Sequence, residues 1–379
     1  MISLCVPTFN RPAFIERLLR YYAATGFRHW IFIGDSSDGE NATRTQRVVA
    51  WWEGRLQVRY EACPGLSSCA ALEHLSRLIT TPYCAFLGDD DFLCPATLDR
   101  CEAFLDDHPD YGAAHGRAIL FQLETPGPYG AMGTIEPYPL ATLHADTGAG
   151  RLVELFTVSL YAVLNSVHRT DTWRAMFRGL SDMAGVRNRN VFKDELIATC
   201  VSVIRGKIKA LDGLYLMRQA HDSYHWPHVY DWLTDPGWSP SYQAFRERLV
   251  EELWRQDGMN REQASATIRR VFWPYLAQAV TRAWRSEQVA QGRQGLSRLR
   301  AAAKRIPGLR RGWRSIRALI QRAWDPFSLP ALLYPSSSYH ADFMPMYRIV
   351  TEPPRPPVGD TDRSQGELVG VGGGDPAIE

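Results

Sequence analysis

Residues 82–92 read Pro82-Tyr-Cys-Ala-Phe-Leu-Gly-Asp-Asp-Asp-Phe92, and the chain on either side is organised around them. The apolar run over 83–87 predicts a short buried strand. Gly88 permits a turn, and Asp89, Asp90 and Asp91 follow in succession. Three adjacent carboxylates repel one another at neutral pH. A hard divalent cation, Mg2+ or Mn2+, prefers oxygen ligands and would remove that repulsion. Held at the carboxyl end of a strand with positions left open, such a cation suits a diphosphate-bearing substrate. The same residues also fit a plain acidic turn before a helix beginning near Pro95.

Working outward, residues 2–6 form another apolar run, ended by Pro7. Thr8-Phe-Asn-Arg11 makes a turn, and Pro12 suits the first turn of a helix. Phe14, Ile15, Leu18, Leu19 and Tyr22 recur at helical spacing until Gly26. Residues 30–33 predict a strand followed by Gly34-Asp-Ser-Ser-Asp-Gly39, then a helix through Val48, Val49 and Trp52 and a strand over 56–60. Ser67 is placed to cap a helix through Leu72, Leu75 and Leu78. Alternating strands and helices predict βαβ units, an α/β fold with a mostly parallel sheet. Ligands of such sheets bind beyond the carboxyl ends of the strands, where the polar clusters 8–11, 35–38 and 89–91 all fall. No G-x-G-x-x-G follows the first strand and no G-x-x-x-x-G-K-[ST] occurs, which speaks against a dinucleotide fold and a P-loop.

The chain has 379 residues, 45% hydrophobic and 22% charged, enough for two or three globular domains. No uncharged apolar run approaches the ~18 residues needed to span a bilayer, and the N-terminus lacks the basic and apolar regions of a signal peptide. Seven cysteines, with no C-x-x-C, are expected to be buried thiols, as suits a cytoplasmic protein. The net charge of +2 hides an asymmetry. Between Arg293 and Arg322 lie ten Lys or Arg and no Asp or Glu, which leaves 33 basic against 41 acidic residues elsewhere.

Ser3-Leu-Cys-Val-Pro-Thr-Phe-Asn-Arg11, Gly34-Asp-Ser-Ser-Asp-Gly39 and Phe86-Leu-Gly-Asp-Asp-Asp91 occur in the order and spacing of family 2 glycosyltransferases of the GT-A fold. The chain resembles that family over roughly residues 1–228. It looks closest to a bacterial branch with downstream D-E-L and R-Q-x-H motifs, matched here by Asp194-Glu-Leu196 and Arg218-Gln-Ala-His221. The resemblance implies a Rossmann-like catalytic domain carrying out an inverting, metal-dependent transfer. The donor would be a nucleotide sugar, in most relatives a UDP-sugar, and the acceptor a hydroxyl of a glycan or lipid-linked molecule in cell-surface glycan synthesis. It implies that Pro7, Thr8, Asn10 and Arg11 flank the nucleotide and that Asp35 with Ser36 receives the base. Asp89 and Asp90 would serve ribose and diphosphate, with Arg218 on phosphate. Asp89, Asp91 and His221 would hold the divalent cation. Asp194, with Glu195 as the second choice, would be the base that deprotonates the acceptor. Blander roles exist for these residues: an Asx turn for residues 35–39, and helix-dipole complements for Asp194 and Glu195. His221, His225 and His228 lack the partners of a zinc site.

After residue 228 the pattern becomes helical, with Trp232, Trp238, Trp254, Trp273 and Trp284 expected mostly in a core. A helical region is expected over 229–345 and a disordered tail over 346–379. Leu309, Trp313, Ile316, Leu319, Ile320 and Trp324 would line one face of a basic helix. That helix reads first as packed on the protein's own body with solvated arginines; it also suits the inner face of an anionic membrane, with nucleic acid the third reading. Two other functions are weighed beside glycan synthesis: sugar transfer to a nucleic acid base, and a non-catalytic nucleotide-sugar-binding module.

Overall fold

A computed structural model describes residues 1–158, 163–180, 191–221, 227–303 and 325–354, with side chains in 289–303 excepted. The elements of the first half are β1 (Ile2–Thr8), α1 (Pro12–Ala24), β2 (Trp30–Asp35), α2 (Gly39–Trp52), β3 (Val58–Ala62), α3 (Ser68–Ser76), β4 (Tyr83–Phe86), β5 (Phe92–Leu93) and α4 (Pro95–Asp107). There follow β6 (Tyr111–Leu123), β7 (Met132–Tyr138), α5 (Gly148–Val158), β8 (Val167–Arg169), α6 (Thr170–Phe177), α7 (Ile197–Arg205) and β9 (Lys207–Ala220). The helices α8 (Val229–Thr234), α9 (Trp238–Asp257) and α10 (Arg261–Ala303) come next, then two more, Leu329–Leu332 and His340–Thr351.

The nine strands form one sheet in the order β3-β2-β1-β4-β8-β6-β9-β5, with β7 beside β6. β1 to β4, β6 and β9 run one way, and the short β5, β7 and β8 run against them. This is the α/β, mostly parallel architecture expected. β1 extends through Pro7 to Thr8, beyond the expected stop. Pairing with β4 ends at Cys5, whereas pairing with β2 continues to Thr8 opposite Asp35. Pro7, which has no N–H to give, therefore falls where β1 has left β4.

The strand pleat sends alternate residues into two cores. Leu4, Val6, Ile31 and Ile33 face α1, α2 and α4, while Cys5 and Phe32 face α3, α5, α6 and α7. The later helices divide between these same cores. Phe245, Leu249, Ile268 and Phe272 of α9 and α10 join the α5–α7 side, and Phe343, Met346 and Val350 join the α1 side. Among the described residues, 229–345 thus show no core of their own, and 346–351 belong to a packed helix, not a tail. Its apolar residues 343, 346 and 350 lie one turn apart, which covers α1. The basic face expected over 309–324 and the tail beyond 354 lie outside the described residues. Trp232 is buried and Trp238 half-buried, but Trp254, Trp273 and Trp284 are exposed. The core expected of them fails because α9 and α10 turn only one face inward. All seven cysteines are buried and free. No helix among the described residues is long and apolar enough to cross a membrane.

Candidate active site

The strand order reverses between β1 and β4: β2 and β3 lie to one side of β1, and the chain then crosses to place β4 on the other. A crevice opens beyond the carboxyl ends of strands at such a switch point. Thr8 ends β1 and Asp89 follows β4, and the Thr8 hydroxyl donates to Asp89 Oδ2 at 2.7 Å across that gap. Arg11 Nη1 donates to Asp89 Oδ1 and Asp90 Oδ2, both at 2.9 Å. Gly88 makes the turn possible: a Cβ there would lie 2.7 Å from Asp90 Oδ1.

The second loop is locked to the first. Asn10 has φ 57, the only left-handed residue other than glycine among those described, a conformation that Asn tolerates better than most. Its N–H donates to Ser37 Oγ at 2.7 Å, and its Oδ1 accepts from Asp38 N–H at 3.3 Å. Asp35 Oδ1 accepts from Ser37 N–H at 2.9 Å, and its Oδ2 from the Tyr60 hydroxyl at 3.0 Å. The Asx turn is real, then, and Tyr60 on β3 adds a partner to it. Ser36 is buried beside Asp35, and Pro7 is half-buried.

The third side comes from β9 and its exit. Arg218 Nε lies 3.3 Å from Asp91 Oδ2, and Gln219 N–H donates to Asp91 Oδ1 at 3.1 Å. His221 Nε2 lies 2.6 Å from Asp90 Oδ2. His221 therefore meets Asp90, and Asp89, Asp91 and His221 do not converge as a three-ligand cluster. The one such His and carboxylate group among the described residues is His29, Asp99 and Glu102, at the opposite end of the sheet. Beneath the aspartates sits Arg17, fully buried on α1. It donates to Asp90 O at 2.6 Å, Pro128 O at 2.8 Å and the Gln219 side chain, with its guanidinium over the Phe14 and Phe92 rings. Burial lowers its pKa to about 10, with the three aspartates opposing that fall.

Charge is unevenly shared here. Burial, then the neighbouring Asp90, pushes Asp89 up to about 6 against the pull of Arg11 and Thr8. Burial pushes Asp91 up to about 7, although Arg218 works to lower it. Burial opposes the ionisation of Asp90 too, but the His221 hydrogen bond and Arg11 carry it down to about 2. The cations thus outweigh burial at Asp90 but not at Asp89 and Asp91, although Arg11 and Arg218 pair with these two. A divalent cation fits that deficit, and the oxygen donors suit it chemically.

Asp194 and Glu195 lie in a single π-helical turn, Phe192–Leu196, that runs into α7. They do not simply open an α-helix; such wide turns concentrate at functional sites. Cys69 Sγ donates to Asp194 Oδ1 at 3.2 Å. Burial pushes Glu195 up to about 7, with Arg218 lowering it and Asp194 raising it. Arg218 therefore acts on both Asp91 and Glu195, and it also donates to the Tyr138 hydroxyl at 2.8 Å.

Sequence reasoning assigned no role to Arg17, Tyr60, Cys69, Tyr138 and Gln219. Arg17 left a signal as a charge inside the apolar stripe of α1 between Phe14 and Leu18, and Gln219 as the second residue of the R-Q-x-H match.

No protein-family model and no curated protein matches the chain. Among solved structures it is similar to S. aureus TarS 1–349 in complex with UDP-GlcNAc, at 16% identity and TM-score 0.46 over 71% of each chain. Full TarS matches at 14% identity and TM-score 0.44, over 71% of this chain and 42% of that one. The mannosyltransferase PcManGT from Pyrobaculum calidifontis, in complex with GDP-Man and Mn2+, matches at 14% identity and TM-score 0.39, over 86% of this chain and 87% of that one.

Proposed function

We propose that the chain is an inverting glycosyltransferase that takes a sugar from a nucleotide sugar, a UDP-sugar in the first instance, to a hydroxyl of a glycan or lipid-linked acceptor. One observation carries this: three polar loops, after β1, β2 and β4, are joined by hydrogen bonds at the switch point around buried carboxyls, two of which burial holds above the usual range despite Arg11 and Arg218. Asp35 and Tyr60 form the floor for the base. Thr8, Asn10 and Arg11 border the nucleotide, and Asp89 with Asp90 faces ribose and diphosphate. Asp89 and Asp91 would hold Mn2+ or Mg2+, which when bound neutralises charge on the leaving diphosphate. His221 orients Asp90 in this reading, through the 2.6 Å contact, and is not assigned to the metal.

Arg218 stands between the donor side and the base side. Its guanidinium holds Asp91 in place and offers positive charge to departing phosphate. For the base, Glu195 takes precedence over Asp194. A carboxyl held near 7 accepts a proton more readily than one at its ordinary value, and it is still ionised at mildly alkaline pH. Asp194, tied to the Cys69 thiol, positions the turn.

The test is to incubate the protein with UDP-sugars and Mn2+ and measure release of UDP. Release lost in Asp91→Asn and in Glu195→Gln supports the reading. No release and no thermal stabilisation by UDP with Mn2+ would contradict it.

A further inference from the structure

Among the described side chains of the long helix α10, full burial ends at Leu276. Ala264, Ile268, Phe272 and Leu276 face the core, and no residue from 277 to 288 is fully buried. Trp273 is 45% exposed and Trp284 55% exposed. They are eleven residues apart, about three turns, so they share one stripe about 16 Å long. Ala277 and Val280 fall between them on that stripe, and neither is buried. Trp273 is braced from behind by Tyr242, ring centroids 5.5 Å apart, and by Trp238 at 6.2 Å. Trp284 extends past that brace.

Charge around the stripe has one dominant sign. Arg269 and Arg270 flank Trp273 and are exposed. Glu262 lies at one end, and Glu287 at the other is engaged by His228 at 3.6 Å. The helix then runs to Ala303, into the segment from Arg293 to Arg322 that has ten basic residues and no acidic one. A second copy of this chain seated on the same face would bring the exposed Arg269, Arg270, Arg282 and Arg285 against their own counterparts. A surface of opposite charge that accepts indole rings meets no such repulsion.

We infer that this outer face of α10 docks on a bilayer surface bearing anionic lipid. Trp273 and Trp284 enter the interfacial region, and the arginines meet headgroup phosphates. Trp284, more than half exposed, is the anchor in this reading. The 3.6 Å contact between His228 and Glu287 sets this arm beside the chain seven residues beyond His221, so a docked arm would bring the proposed site towards the membrane. The docking does not depend on the proposed sugar transfer.

The experiment is co-sedimentation of the full chain with vesicles of phosphatidylcholine, with and without phosphatidylglycerol. Binding is expected only with phosphatidylglycerol, and it should weaken as salt rises. Trp284→Ala should weaken it about tenfold, with an unchanged thermal midpoint and unchanged UDP-release activity towards a soluble acceptor or water. Trp284→Phe should keep part of it. No sedimentation with phosphatidylglycerol vesicles, or wild-type binding by Trp284→Ala, overturns the inference. So does a concentration-dependent dimer that Trp284→Ala abolishes, because the face would then belong to a second copy.

Discussion

Two acidic clusters sit at opposite ends of the same sheet, and only one is strained for charge. At the amino ends of the strands, His29, Asp99 and Glu102 lie close enough together to enclose an ion. Yet Ile2 N–H donates to His29 Nδ1 at 3.2 Å, which leaves the ring proton of the neutral imidazole on Nε2, facing Asp99 Oδ1 at 2.8 Å. That nitrogen then has no lone pair to offer. Asp99 is 56% exposed, and Glu102 pairs with the Met1 amine, so water and an ammonium already serve the carboxylates. At the carboxyl ends, Asp89 and Asp91 are buried among three arginines and still hold their protons up to about 6 and 7. Proximity of ligand atoms alone does not make a site; negative charge kept out of water without full compensation is the stronger pointer to one.

That contrast can be broken by substitution. The largest effect is expected from Glu195→Gln and Asp91→Asn, each lowering turnover by about a hundredfold or more. The two should differ in binding, because Asp91→Asn loses UDP affinity and Glu195→Gln keeps it. Isothermal titration beside a turnover assay separates them. Neither should reduce thermal stability at pH 8, since each removes a carboxylate that burial penalises in its charged form.

The pH profile follows from the sign of the Glu195 shift. Its carboxyl binds a proton from about 7 downward in the folded state, against 4.5 ordinarily. Turnover should therefore rise with pH through about 7, because only the deprotonated group is a base. By linkage the same shift makes this group favour the fold increasingly as pH falls from 7 towards 4.5. A kcat profile flat between pH 6 and 8 would remove Glu195 from the role.

Gly88→Ala should weaken UDP binding about tenfold, or ~1.4 kcal/mol, by pushing a methyl against Asp90. At the other end of the sheet, Asp99→Asn with Glu102→Gln should change neither UDP affinity nor Mn2+ response. A loss of Mn2+ response there would move the metal to the wrong edge and reverse the comparison.

Much of the parallel half was legible because apolar runs and punctuating residues agree. Ser67 caps α3 by accepting from Ala70 N–H, and Pro12 opens α1, as their spacing predicts. The carboxyl-edge clusters followed from that half. What pairs with them was not legible, since Arg17 and Gln219 stand 202 residues apart and Cys69 and Asp194 stand 125 apart. Periodicity cannot show a π turn either, because Phe192–Leu196 differs from an α-helix only in its hydrogen bonds. The second half of the helix His340–Thr351, from 346 on, was assigned to the Pro-rich tail after it, although Phe343, Met346 and Val350 carry the helical spacing. Exposure of Trp273 and Trp284 depends on which face α10 turns inward, which no single helix records.

The most direct measurement is isothermal titration of UDP in the presence of Mn2+ into the wild-type chain, Asp91→Asn, and the Asp99→Asn/Glu102→Gln double variant. Binding by the wild type and the double variant alike, with loss in Asp91→Asn, is the predicted result. Equal UDP binding by Asp91→Asn and the wild type would contradict the claim that the buried aspartates after β4 form the site.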